Sequence, residues 1–139
     1  MGKITPEIAV SDMQKSLEFY QMLGFVKDNV GVVDDKGSQW YSLALGDANL
    51  WLTREDIAEG VQMGEARGNG VNIYASVDDV DAVYEKIKTG GLQMNIIKDI
   101  ETFYYGLRQF SIADPDGYTL TVNTPVAQKE GGQAGDAQG

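Results

Sequence analysis

The chain repeats its own punctuation. Val10-Ser11-Asp12 opens a segment that closes at Gly24, and Val77-Asp78-Asp79 opens one that closes at Gly91. Opening and closing landmarks recur at the same spacing of 67 residues, so a strand end, a helix start and a helix stop are shared by two units. A chain of 139 residues holds one core and is too short for two ordinary domains. The expectation is therefore a single α+β domain made of two tandem modules.

Helix signals follow each opening. Ser11 with Gln14 reads as a capping box, in which the hydroxyl accepts from a free backbone amide and the amide side chain answers. Met13, Leu17 and Tyr20 then share a face, and Gly24 supplies a left-handed stop. In the second unit Asp78 or Asp79 caps, Val80, Val83, Tyr84 and Ile87 form the apolar stripe, and Gly90-Gly91 ends it.

Alternating segments predict strands near 4–10, 25–32, 38–45, 48–53, 70–77, 93–99, 106–113 and 117–124, giving β-α-β-β-β in each unit. Turns are expected at Asp34-Asp35-Lys36-Gly37, Gly46-Asp47 and Asp114-Pro115-Asp116-Gly117. The modules then span about 3–55 and 69–124. Residues 56–68 join them as a linker that could serve as a flap, and the Gly-, Gln- and Ala-rich stretch 125–139 is expected to be a disordered tail.

Strand alternation assigns faces. With the helices over one face, Ile4, Ile8, Val10, Leu50, Leu52, Val71, Ile73, Val77, Leu120 and Val122 are expected in the core. The opposite face carries Thr5, Glu7, Asn49, Trp51, Thr53, Asn72, Tyr74, Ser76, Thr119, Thr121 and Asn123. Hydrogen-bonding groups mixed with flat aromatics are the lining of a small-molecule site, around which the two modules are expected to curve as one mixed sheet. The segment with Trp40 and Tyr41 does not alternate clearly, and one slip would exchange the two rings.

Chemistry is bounded by what is missing. The chain has no His and no Cys, which removes imidazole bases, thiolate nucleophiles, thiolate metal sites and disulfides together. A net charge of −10 repels nucleic acid and anionic membranes and would steer cations inward. Neither a secretory signal nor a membrane-spanning stretch is read from the sequence, so a cytoplasmic location is expected.

Three stretches near the start, Val10-Ser11-Asp12, Phe19-Tyr20 and Leu23-Gly24-Phe25, together with Phe110-Ser111-Ile112-Ala113-Asp114-Pro115-Asp116-Gly117-Tyr118, resemble the vicinal oxygen chelate superfamily. That superfamily holds glyoxalase I, extradiol dioxygenases, fosfomycin resistance enzymes and bleomycin resistance proteins. The resemblance implies the glyoxalase/bleomycin resistance fold. It also implies that Thr5, Trp51, Asn72 and Thr121 stand where the metal enzymes of the family place their ligands. Two hydroxyls, an indole and an amide are poor donors for zinc, nickel, iron or manganese, so neither a metal nor another cofactor is expected.

The metal-free, bleomycin resistance-like branch is the nearest resemblance. Phe103-Tyr104-Tyr105-Gly106-Leu107-Arg108 is similar to an aromatic-Gly-Arg segment in that branch. It implies a ligand crevice between two subunits of a homodimer. The ligand-binding residues expected on these grounds are Thr5, Glu7, Trp40, Asn49, Trp51, Asn72, Tyr74, Tyr104, Tyr105, Arg108 and Thr121. Three functions stay open: a metal-independent binder that sequesters a cationic or aromatic small molecule such as an antibiotic, a metal-independent lyase or isomerase using Glu7 or a tyrosine as acid or base, and an assembly or regulatory protein with a vestigial cavity.

Overall fold

Asp12 and Asp79 each begin a helix. In the computed structural model, which describes residues 2–58 and 68–126, the Asp12 carboxylate accepts from the Lys15 amide at 3.1 Å and opens α1 (Met13–Met22). The Asp79 carboxylate accepts from the Ala82 amide at 3.2 Å and opens α2 (Val80–Thr89). The expected Ser11–Gln14 box does not form. Ser11 lies one residue outside the cap, and the Gln14 amide donates to Glu18 instead. A carboxylate is the stronger acceptor and also suits the positive end of the helix dipole.

Both helices end in the same hydrogen-bonded motif. Gly24 N–H donates to Gln21 and Phe25 N–H to Tyr20, while Gly91 N–H donates to Lys88 and Leu92 N–H to Ile87. Gly24 and Gly91 hold φ of 107° and 81°, the left-handed region this ending requires. In α1 the motif brings Phe25 edge-on to Tyr20 at 5.6 Å. The spacing read from the sequence thus marks four equivalent points: two caps and two stops.

The chain divides into two compact units, one running to Asn69 and including Pro115–Gly117, the other comprising Gly70–Asp114 and the residues from Tyr118 onward. In the first unit β1 (Glu7–Val10) pairs in parallel with β6 (Ala48–Arg54), β6 with β5 (Trp40–Leu45), and β5 with β2 (Val26–Val30), the last two antiparallel. A small hairpin of β3 (Val33–Asp34) and β4 (Gly37–Ser38) interrupts the path between β2 and β5. In the second unit β7 (Asn72–Ser76) pairs in parallel with β10 (Thr119–Pro125), then β9 (Leu107–Ala113) and β8 (Ile96–Phe103) follow antiparallel. The orders β1-β6-β5-β2 and β7-β10-β9-β8 are the same topology written twice. This is an α+β fold of two sheet modules.

Each helix covers the apolar face of its own sheet. α1 packs on β6 and buries Leu17, Phe19 and Tyr20 with Leu43, Leu50 and Leu52. α2 packs on β9 and β10 and buries Val80, Val83 and Ile87 with Phe110, Ile112, Leu120 and Val122. Two expected core residues lie outside. Ile4 is 92 % exposed and Val71 57 %, because pairing begins only at Glu7 and Asn72. Pro6 has no N–H to extend the ladder, and a residue ahead of the ladder is not bound to its alternation.

The other boundaries shift by a few residues. Gln93–Asn95 form a short 3₁₀ turn before β8. The first two residues of the expected tail are instead held by the second unit: Pro125 belongs to β10, and Val126 N–H donates to the Gly106 carbonyl at 2.9 Å. The rest of that tail, and residues 59–67 of the expected linker, lie outside the described residues. Among the described residues no helix is long and apolar enough to cross a membrane.

Candidate functional site

On the face of the first sheet opposite α1, register decides which side chains meet. Glu7 stands beside Trp51, and Ser42 flanks Trp51 from the other side. Trp40 stands beside Thr53, two positions along, and therefore on the same face. The question between Trp40 and Tyr41 is settled accordingly. Trp40 faces Trp51 with ring centroids 6.3 Å apart and planes 36° from parallel. Tyr41 points the other way, beside Lys27, whose ammonium lies 5.7 Å from its ring centroid.

Glu7, Trp40, Trp51, Thr53 and Ile57 line a hollow of about 410 Å³. Thr53 Oγ1 donates to Glu7 Oε2 at 2.7 Å, which aims the carboxylate and leaves acceptor capacity on its other oxygen. Thr53 is buried, while Trp51 is 44 % exposed. The hollow thus joins two large aromatic faces to one anchored carboxylate. That set can hold a flat, positively charged molecule by stacking, cation–π attraction and a charged hydrogen bond.

Three expected residues, Glu7, Trp40 and Trp51, come together here. Thr5 is half-buried just ahead of β1 and does not line the hollow. Asn49 is occupied elsewhere: its amide donates to Asp28 at 3.1 Å and to the Leu43 carbonyl at 3.3 Å, and accepts from Lys3 at 2.8 Å. Ile57 was not foreseen. It sits in the turn after β6, where strand alternation no longer applies.

A buried arginine behind this turn was also missed. Arg54 ends β6, donates to Asp34 at 2.6 and 2.8 Å, to Asp56 at 3.0 and 3.1 Å, and to the Gly37 carbonyl at 3.2 Å. It fastens the β3–β4 hairpin to the turn that carries Ile57. The Arg54 guanidinium, helped by the Lys36 amide, holds the Asp34 carboxyl far below the usual range, and Arg54 lowers Asp56 in the same sense.

The equivalent face of the second sheet is polar. Thr121 donates to Asn72 Oδ1 at 3.0 Å and lies 2.8 Å from the Ser111 hydroxyl, and it is 1 % exposed. Ser76 donates to Asn123 at 2.8 Å. Tyr74 and Tyr104 are exposed. Tyr105 stacks on Phe103 at 5.2 Å, and its hydroxyl is pushed up by desolvation first, with Tyr74, Tyr104 and Glu101 adding. Arg108 lies on the other face, the one α2 covers, where it forms a charged pair with Asp81 of α2 at 3.0 Å and donates to Thr102.

These surroundings test the metal positions of the resembling enzymes. In the first unit the Trp51 indole can only donate. In the second, the Thr121 hydroxyl is already engaged by Asn72 and Ser111. Among the described residues no three His, Cys, Asp or Glu side chains gather as a metal site would need. The residues present do not fit a transition-metal ion.

Comparison with known proteins agrees with this architecture. Residues 3–122 match the model of the Glyoxalase/Bleomycin resistance protein/Dioxygenase superfamily. TioX from Micromonospora superposes with a TM-score of 0.68 at 16% identity, covering 92% of this chain and 99% of that one. A bleomycin resistance determinant encoded on the transposon Tn5 gives 0.61 at 22%, covering 90% and 98%. A superfamily member from Sphaerobacter thermophilus gives 0.63 at 24%, covering 89% and 98%. A search of curated proteins finds no match. From the matched model, which spans nearly the whole length, the chain belongs to the glyoxalase/bleomycin resistance protein/dioxygenase superfamily.

Proposed function

We propose that this protein is a metal-independent small-molecule binder that sequesters a flat, cationic ligand, of the kind found among bleomycin-type antibiotics. The observation that carries the reading is the Trp40–Trp51 pair standing over the Glu7 carboxylate in one hollow. Two indoles supply stacking surface, and Glu7 supplies the countercharge. The net charge of −10 would speed the encounter with a cation. The likeness to a bleomycin resistance determinant supplies the drug class to try first.

The test is a tryptophan-fluorescence titration with a bleomycin-class drug in EDTA. The chain has only two Trp, and both line the hollow. Saturable quenching at micromolar drug, abolished in Trp51→Ala, is the expected result. No change at high drug concentration would overturn the antibiotic reading. Chemical conversion of a ligand, lost in Glu7→Gln, would favour an enzyme instead. We further propose a homodimer, which light scattering would report at about twice the 15.1 kDa chain mass.

A further inference from the structure

Gly31 has a close neighbour. Its N–H donates to the Trp40 carbonyl at 2.8 Å, so Gly31, one residue past the end of β2, opposes Trp40 of β5. A β-carbon placed on Gly31 would lie 2.0 Å from Trp40 Nε1 and 2.3 Å from Cδ1 and Cε2. The indole therefore occupies the space a side chain at position 31 would need. An aromatic ring laid across a glycine on the neighbouring strand covers bare backbone and is itself held by it.

The two walls of the hollow consequently differ. Trp40 is half-buried and backed by Gly31, while Trp51 is more exposed, at the opposite side of the ring pair. A flat ring inserted between two indoles needs two carbon–carbon contacts of about 3.5 Å, or about 7 Å in all. The ring centroids are 6.3 Å apart and the planes are tilted, so one wall must yield. Trp40 is stopped by the Gly31 backbone.

We propose that Gly31 is a positioning residue that fixes Trp40 as the rigid wall of the cleft, so that Trp51 is the wall that moves to admit a ligand ring. The proposal rests on reading the hollow as a ligand site, but its first test needs no ligand. Gly31→Ala leaves no room for the Trp40 ring in its present place. Near-ultraviolet circular dichroism should lose the signal of the coupled indole pair while far-ultraviolet dichroism keeps the native shape. Drug affinity, if the titration above is positive, should fall at least tenfold.

Single-tryptophan proteins provide a second measurement that leaves Gly31 intact and guards against misfolding of the alanine variant. Trp51→Phe isolates Trp40, and Trp40→Phe isolates Trp51. Time-resolved anisotropy should show Trp40 tumbling with the whole protein and Trp51 with an added sub-nanosecond component. A folded Gly31→Ala protein with an unchanged near-ultraviolet spectrum would overturn the proposal. So would equal mobility of the two rings, or greater mobility of Trp40. A protein that passes these tests yet binds no drug would retain the fixed-wall geometry and lose only the functional reading.

Discussion

The Thr53 hydroxyl donates to Glu7 across the parallel pair β1–β6 at 2.7 Å. Thr53 is a buried donor bonded to a carboxylate that lines the same hollow as the two indoles. Glu7→Gln keeps the shape and removes the charge. Hydrogen bonds to charged groups contribute about 1.5–3 kcal/mol, so affinity for a cationic ligand should drop roughly 10- to 100-fold. A neutral analogue of the same ring system should lose little. Thr53→Val should fall between wild type and Glu7→Gln. Calorimetric titration in EDTA with the charged and neutral ligands measures both; equal losses for the two would remove Glu7 as the countercharge.

Trp51 supplies the aromatic part of the same site. It stands beside Glu7 in register, faces Trp40, and exposes 44 % of its surface. Buried aromatic anchors commonly account for about 2 kcal/mol or more of binding, so Trp51→Ala should weaken binding by about 30-fold or more. Because the side chain is not part of the core, the thermal midpoint should move little. A large loss of stability with unchanged affinity would assign Trp51 to packing instead.

The site was partly legible in the sequence because alternation is a local rule. Glu7, Trp51 and Thr53 follow from the parity of β1 and β6 alone. The spacing between the two modules was legible for the same reason, since caps and stops are set by single residues. Trp40 was expected at the site, but its face was left open against Tyr41, because that face depends on how β5 pairs, and β2 carries a register shift between Lys27 and Asn29. The Gly31–Trp40 contact depends on that pairing too. Arg54 was invisible because its partner Asp34 lies in another turn, and a charged residue at a strand end ordinarily reads as solvent-exposed. The two modules also diverge where they correspond. By register Trp51 stands beside Glu7 and Thr121 beside Tyr74, so the aromatic wall of one unit is a buried hydroxyl in the other.

The repeated caps make a quantitative test of that duplication. Asp12→Ala and Asp79→Ala each remove a carboxylate that satisfies a free amide at a helix start. Each should cost about 1 kcal/mol. Denaturant melts of the two single variants and the double variant should show similar losses that add. A negligible effect at Asp12 with a full effect at Asp79 would mean that the first helix is held by its packing on β6 alone.

Acid should loosen the hairpin that Arg54 fastens. Asp34 and Asp56 are held below the ordinary carboxylate value by Arg54. A carboxyl whose folded value is depressed contributes stability that is fully present above its unfolded value, near pH 4, and is lost as pH falls toward the folded value. Wild type should therefore lose stability progressively below about pH 4. In Asp34→Asn the protein should be weaker at neutral pH and its acid limb shallower, because one of the two linked protons is gone. Parallel acid limbs in wild type and Asp34→Asn would show that the Asp34–Arg54 pair is not linked to folding.

Among the described residues two buried polar atoms have no partner, and they yield a prediction of opposite sign. Ser16 Oγ lies in the buried face of α1, and Gln109 Oε1 lies on the polar face of β9, opposite Asn123; neither makes a hydrogen bond. An unsatisfied buried polar group costs about 1–3 kcal/mol relative to an apolar one of the same shape. Ser16→Ala also places the best helix former inside a helix. Ser16→Ala and Gln109→Met should each raise stability by about 1 kcal/mol, a shift of a few degrees in thermal midpoint for a chain of this size. The two need not agree. Gain at Ser16 with loss at Gln109 would mean that the Gln109 amide makes a bond in solution that offsets its burial. Loss at both would show that the two groups are hydrated in the native protein and that their burial carries no desolvation cost.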